Sequence, residues 1–378
     1  MPDAAEPRPE HAAASPSPAT TRPGAGQIAL SVGLALSGFL LTAGMVHAAI
    51  RDPLHLHADA RSEKLAMLED WRGKVFSAAF GTSHIHNGFD PRVFDAVLAG
   101  TPMATRSANL AIEGGSQTEQ FVMADRFVRQ LESPAQAGAA PQPCLVVLEL
   151  NAGTNFTNDH LVHPRAINIY DWQTAHLTDN FVVPTMGRTQ RYGRQGYAWA
   201  AMGLHYMNVG MLSSTIFSAP LSAEKMTDQT ADDRRGLLAL PFHATYQPRL
   251  QQIIAATPKQ PAVQPGELLP GNSDVVERLR ADASVKNVSF VYVVMPRLDD
   301  LSSQTNYPDH ITVAGPAGPM DVPILNLGHA ADHPEVYNPA LWYDDAHLTG
   351  QGAALVTKLL AEQLKQWYAN HGEAPKCG

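Results

Sequence analysis

A serine stands where an apolar run stops. In "FGTSHIHNGFDP", residues 80–91, the run Val75–Phe80 reads as a buried strand and gives way at once to Gly81, Thr82, Ser83 and His84. Ser83 has three readings there: a turn residue, an N-cap for the next helix, or a nucleophile. On the serine alone the cap is preferred. Far along the chain, "WYDDAHLTGQGAALVTKLLAEQL" sets Asp344 three residues before His347, on a loop just ahead of the last helix. A short loop can hold both on one side, where the carboxylate fixes the imidazole tautomer and offsets its charge. Asp345 could replace Asp344 in that role. A hydroxyl, an imidazole and a carboxylate are the parts of a nucleophilic acyl-transfer site, provided the fold gathers them.

Other candidates weigh less. His84 and His86 form an H-x-H, but no third ligand at helical spacing joins them and no H-E-x-x-H occurs, so neither a metal nor a cofactor is expected. "HLHADA" and "NDHLVHP" read as polar loops. Arg297, after "VVMP", emerges at a strand's carboxyl end, where a surface arginine is preferred to a substrate contact. A net charge of -9 lacks the clustered Lys and Arg of a nucleic-acid partner. The two cysteines, Cys144 and Cys377, exclude a disulfide framework and leave a single bridge open.

The elements that must position these groups alternate. Strand-like runs at Val75–Phe80, Ala108–Ile112, Cys144–Leu150, Val288–Met295 and Val322–Leu327 are separated by helix-compatible stretches such as "GFDPRVFDAVLAG" and "QTEQFVMADRFVRQLES". Runs as dense in Val, Ile and Leu as "CLVVLEL" suit strands covered on both faces, and the alternation predicts an α/β sandwich around a mostly parallel sheet of five strands. "TGQGAALVTKLLAEQLKQWYANHG" predicts a long final helix with Gly372 as its stop. In open sheets of this kind ligands bind outside the carboxyl ends of the strands, where Ser83 would stand. A long, mainly helical insertion at about 156–285 interrupts the rhythm and is expected to be a lid or a partner surface.

Ahead of this domain, residues 1–26 are rich in Pro, Ala, Ser and Thr and read as a disordered tail. Residues 27–50, "QIALSVGLALSGFLLTAGMVHAAI", lack Asp, Glu, Lys and Arg and are long enough to cross a bilayer. A cleaved signal peptide is the competing reading, but the long leading segment with its acids favours an uncleaved anchor. Residues 51–71 are expected to form a juxtamembrane helix, and 72–371 the main domain. Arg8 and Arg22 precede the span while Arg51, Arg61 and Lys64 follow it, so charge alone does not orient it.

The order Ser, Asp, His resembles the SGNH hydrolase superfamily of the GDSL esterase type. "FGTSHIHNGFDP" is similar to its first block, with Thr82 where the better-known pattern has Asp. "DDAHLTGQGA" is similar to its last block and is the more specific of the two. The resemblance implies a three-layer, flavodoxin-like fold, with Ser83 as nucleophile, His347 as general base and Asp344 as its orienter. It also implies an oxyanion hole from the Ser83 N–H, a glycine of "NLAIEGGSQTE" and an asparagine of "LELNAGTNFTND". Gly114 is preferred to Gly115. Asn155 has the better local pattern, and Asn151 the better strand spacing.

An anchored SGNH-like domain is similar to components of bacterial exopolysaccharide acylation and of cellulose or other glycan export. That implies a serine esterase or O-acyltransferase acting on acyl, chiefly acetyl, esters of a surface glycan. Its expected place is the inner membrane, single-pass, with the large domain in the periplasm. A multi-span acyl donor or a polysaccharide synthase complex is the implied partner. The rival reading is a non-catalytic SGNH-like accessory protein of such a complex.

Overall fold

The computed structural model describes residues 24–49, 60–129, 144–150, 233–256, 261–266, 288–314, 318–372 and 374–377, with scattered positions at 192–203, 231 and 276–280. The chain divides into two compact units, Met1–Ala49 and Ile50–Gly378. Among its described residues the first contains one helix, α1 (Ala25–Ala49), of which Ala25–Met45 has a mean hydropathy of 1.9 and is long and apolar enough to cross a membrane. Leu30, Leu34 and Leu41 stand exposed along it, as in a helix whose solvent is lipid rather than a folded core. The tail expected at 1–26 lies outside the described residues up to 23.

The second unit is an α/β domain built on a mostly parallel sheet. Its elements run α2 (Ala60–Asp70), β1 (Ser77–Phe80), α3 (Ser83–Gly88), α4 (Pro91–Leu98), β2 (Ser107–Asn109), α5 (Gln117–Arg129) and β3 (Leu145–Glu149). They continue through α6 (Gln247–Ala255), β4 (Ala262–Pro265), β5 (Ser289–Val294), β6 (Ser303–Asn306), β7 (His310–Val313), β8 (Met320–Asn326) and α7 (Gly350–His371). The main sheet has the order β2-β1-β3-β5-β8-β7. Residues alternate strictly between its faces. Phe80, Val146, Leu148 and Phe290 pack under α2 and α5, while Ala79, Leu145, Val147 and Val291 pack under α4 and α7.

All five expected strands are present, but the sheet has six. The sixth, β7, lies antiparallel to β8 at the edge, pairing Ile311 with Val322. Its "HITV" is too short and too polar at its start to stand out from a loop by pattern, and only the hairpin with β8 gives it a partner. A separate pair, β4 with β6, runs parallel, joining the end of the insertion to the crevice.

One further expectation changes. The helix expected at 51–71 as a juxtamembrane element is α2, and it belongs to the domain core. Leu65, Met67 and Leu68 are buried, and so is Lys64, which had counted as a flanking charge. Its Nζ donates to the carbonyls of Asn109 (3.0 Å) and Gly236 (2.5 Å), and burial pushes it down to about 7 against the raising effect of Glu63. Within the insertion, the described residues 233–256 pack on the domain. Leu240 bridges Thr349, and the Arg235 guanidinium donates to Asp95 at 2.6 Å. Positions 156–230 fall almost wholly outside the described residues.

Order at the sheet centre fixes where a site can form. From β1 the chain crosses one face to β2, and from β2 it crosses the other face to β3, on the far side of β1. The crevice between β1 and β3 at their carboxyl ends is thus the switch point at which open α/β sheets bind ligands. Ser83 lies at that end.

Candidate active site

The serine is carried on a short helix tied down from three directions. Thr82 caps α3, its hydroxyl accepting the His84 N–H, and Ser83 is the first helical residue; α4 has its own cap in Asp90. Ser83 is therefore not the cap that its position alone favoured. At the far end of α3, Asn109 of β2 donates through Nδ2 to the carbonyls of Ile85 (2.7 Å), Phe89 (2.9 Å) and His86 (3.2 Å). Asn109 thereby adds a donor at a helix end where Ile85 also accepts the Phe89 N–H (2.9 Å) and His86 the Leu238 N–H (3.2 Å). Thr357 of α7 donates to the Gly88 carbonyl and accepts the Asp90 N–H. From β3, the buried carboxylate of Glu149 accepts the Thr82 N–H (2.5 Å), the Thr82 hydroxyl (3.1 Å) and Nδ1 of His84 (3.2 Å). Gly81 has no room for a side chain, because a Cβ there would run into Glu149 and Ile85.

The loop 342–348 brings the other two groups. Buried Trp342 anchors it, its indole N–H donating to the Val336 carbonyl, and Trp342 and Leu348 close it as an antiparallel bridge. Within it Asp344 forms an Asx turn, accepting the backbone N–H groups of Ala346 (2.9 Å) and His347 (2.8 Å). Nδ1 of His347 lies 2.9 and 3.0 Å from the two Asp344 oxygens, and Nε2 lies 3.0 Å from Oγ of Ser83. The arrangement suits Nδ1–H donating to the carboxylate and Nε2 accepting the serine hydroxyl proton. Burial pushes the Asp344 carboxyl up, but the His347 ring and the two backbone donors outweigh it and hold the group below its ordinary value. Asp345 turns away, 3.9 Å from Arg249 at the surface.

The glycine loop after β2 runs beside the serine's strand, the Ile112 N–H donating to the Gly81 carbonyl at 3.0 Å. The structure separates the two glycines there. The Gly115 N–H is engaged by the Ile112 carbonyl at 2.8 Å. Gly114 sits at φ 64°, a turn conformation that favours glycine, and its N–H meets no acceptor among the described residues. Asn151 and Asn155 lie outside the described residues.

Three residues at the site escaped sequence reasoning: Glu149, Asn109 and the ring of His84. One signal for Glu149 was available, a lone carboxylate closing the apolar run "CLVVLEL" at the strand end that faces the crevice. It repeats on the other side of Ser83 what Asp344 does for His347. The His84 and His347 rings lie 6.1 Å apart and within 25° of parallel. His84 and Glu149 also line a cavity of about 220 Å³ at the ends of β3, β5 and β8, which continues past Arg297, Asp300 and Tyr307. Among the described residues no group of three or more His, Cys, Asp or Glu side chains could hold a metal ion.

Cys144, at the start of β3, is bonded to Cys377 across 233 positions of sequence. Comparison of the chain with protein-family models, with curated proteins and with solved structures finds no match.

Proposed function

We propose that this protein is a membrane-anchored serine esterase or O-acyltransferase of the SGNH type. The observation that carries the reading is the 3.0 Å contact between Ser83 Oγ and His347 Nε2, backed by Asp344 on Nδ1. His347 takes the hydroxyl proton as Oγ attacks the ester carbonyl, and the imidazolium is offset by Asp344. The tetrahedral oxyanion is met by the N–H groups of Ser83 and Gly114 and by an asparagine, Asn155 or Asn151. Collapse expels the alcohol, which regains the proton from His347, and leaves an acyl-serine. Water or another hydroxyl then attacks that ester, with His347 again as base.

The resemblance of an anchored SGNH-like domain to components of glycan acylation and export extends this to acyl esters of an exopolysaccharide or other surface glycan. A multi-span acyl donor or a polysaccharide synthase complex is the partner in that setting. The Cys144–Cys377 bridge supports a periplasmic domain held by α1 in the inner membrane, since disulfides persist in oxidising compartments.

A fluorophosphonate probe tests the chemistry. Wild-type protein in detergent should be labelled and Ser83→Ala should not, with turnover of aryl acetate lower by roughly 10⁴–10⁶-fold. Asp344→Asn should lose roughly 10⁴-fold, while Asp345→Asn should change little. An unlabelled wild type with a native circular dichroism spectrum would leave the non-catalytic accessory role.

A further inference from the structure

The cavity that His84 and Glu149 line begins one residue from the nucleophile. Its walls come from the ends of β3, β5 and β8, from β6 and from the turn between β5 and β6, and they carry charges of both signs: Arg297 against Asp299, Asp300 and Glu149. The balance is negative, which disfavours a phosphate, sulfate or uronate ligand. The lining is also too polar for an acyl chain. Several of its groups are committed within the protein. Glu149 holds Thr82 and His84, and Asp300 accepts the Arg297 N–H (2.6 Å) and the Tyr337 hydroxyl (3.2 Å).

Others still have hydrogen-bonding capacity. The Tyr307 hydroxyl has no partner among the described residues, and the Arg297 side chain uses only Nε, on Asp299. With Nδ1 of His84 taken by Glu149 and Thr82, Nε2 is the atom its ring can offer a ligand. Donors and acceptors are thus interleaved on a wall without excess positive charge, as multiple hydroxyls require. A volume of about 220 Å³ falls below the roughly 300–1,000 Å³ of sites for drug-sized ligands and suits a single ring.

We infer that this cavity is the subsite for the alcohol half of the ester, and that it takes a neutral, hydroxyl-rich ring, a sugar residue, through Arg297, Tyr307 and His84. The inference rests on the serine-ester reading and adds to it a place, a charge preference and the residues that set specificity. His84 marks the junction, because its ring faces both the cavity and His347.

The test compares kcat/KM of the full-length protein in detergent on 4-nitrophenyl acetate, on a mono-O-acetylated methyl glucoside and on the equally acetylated methyl glycoside of glucuronic acid with its carboxylate free. Wild type should prefer the neutral sugar ester to the uronate by tenfold or more. Tyr307→Phe and Arg297→Gln should each lower the ratio of sugar ester to aryl ester by about tenfold, mainly through KM. If wild type turns over the aryl ester but neither variant moves that ratio, or the uronate is used equally well, the subsite assignment fails while the esterase reading stands. If the aryl ester is not turned over and Ser83 is not labelled, the esterase reading itself fails.

Discussion

The carboxylates around this serine differ in what holds them, and their environments predict different pH behaviour. Asp344 is surrounded by donors and stays ionised. Asp300 is mostly buried, and burial pushes it up to about 7, with Asp299 adding to the rise and the Arg297 N–H and Tyr337 hydroxyl opposing it. In the unfolded chain the same carboxyl titrates near 3.8. Between those values the folded protein holds the extra proton, so Asp300 lends stability at acid pH that is lost as pH rises through about 7. Asp300→Asn removes this slope. Thermal denaturation from pH 4 to 8 should show the variant gaining on wild type as pH increases and levelling off above neutrality.

At the level of elements, the site depends on how firmly a helix of six residues is held. So short a helix has little stability of its own. Asn109, Thr357 and Glu149 supply what the helix lacks, each from a different neighbouring element. Asn109→Ala removes the side-chain donor shared by the Ile85, His86 and Phe89 carbonyls, of which only the first two keep a backbone N–H among the described residues, and should cost about 1–3 kcal/mol in denaturant unfolding. Because those carbonyls hold the helix that carries Ser83, the rate of fluorophosphonate labelling should fall as well. A loss of stability with an unchanged labelling rate would show that Asn109 does not help to place the serine. Asn109 was not legible as a structural residue, since in "NLAIEGG" it reads only as a strand end. Its role appears once β2 lies beside β1.

The whole molecule joins an apolar helix to a domain whose C-terminal segment is bonded back to its central sheet. Cys377 reaches Cys144 at the start of β3, and its N–H donates to the Pro102 carbonyl. A link across so long a loop restricts the unfolded chain and typically contributes about 2–4 kcal/mol. Wild-type protein under reductant, and Cys377→Ser without it, should therefore unfold at the same lower denaturant concentration. Oxidised wild type should exceed both. Deeply buried Cys144 is expected to resist alkylation until the chain unfolds.

Sequence by itself determined the α/β class, the five strands and the apolar helix, and singled out Ser83, Asp344 and His347 as candidates. Each is written in local pattern: dense β-branched runs, an uncharged stretch of bilayer length, and a D-x-x-H before a helix. Tertiary structure alone decided whether the hydroxyl meets the imidazole, which aspartate orients it and which glycine keeps its N–H. It also decided the roles of Glu149 and Asn109, the antiparallel sixth strand and the pairing of the cysteines. These depend on groups distant in sequence meeting across a strand register. Local periodicity carries no information about that register until the sheet order is known.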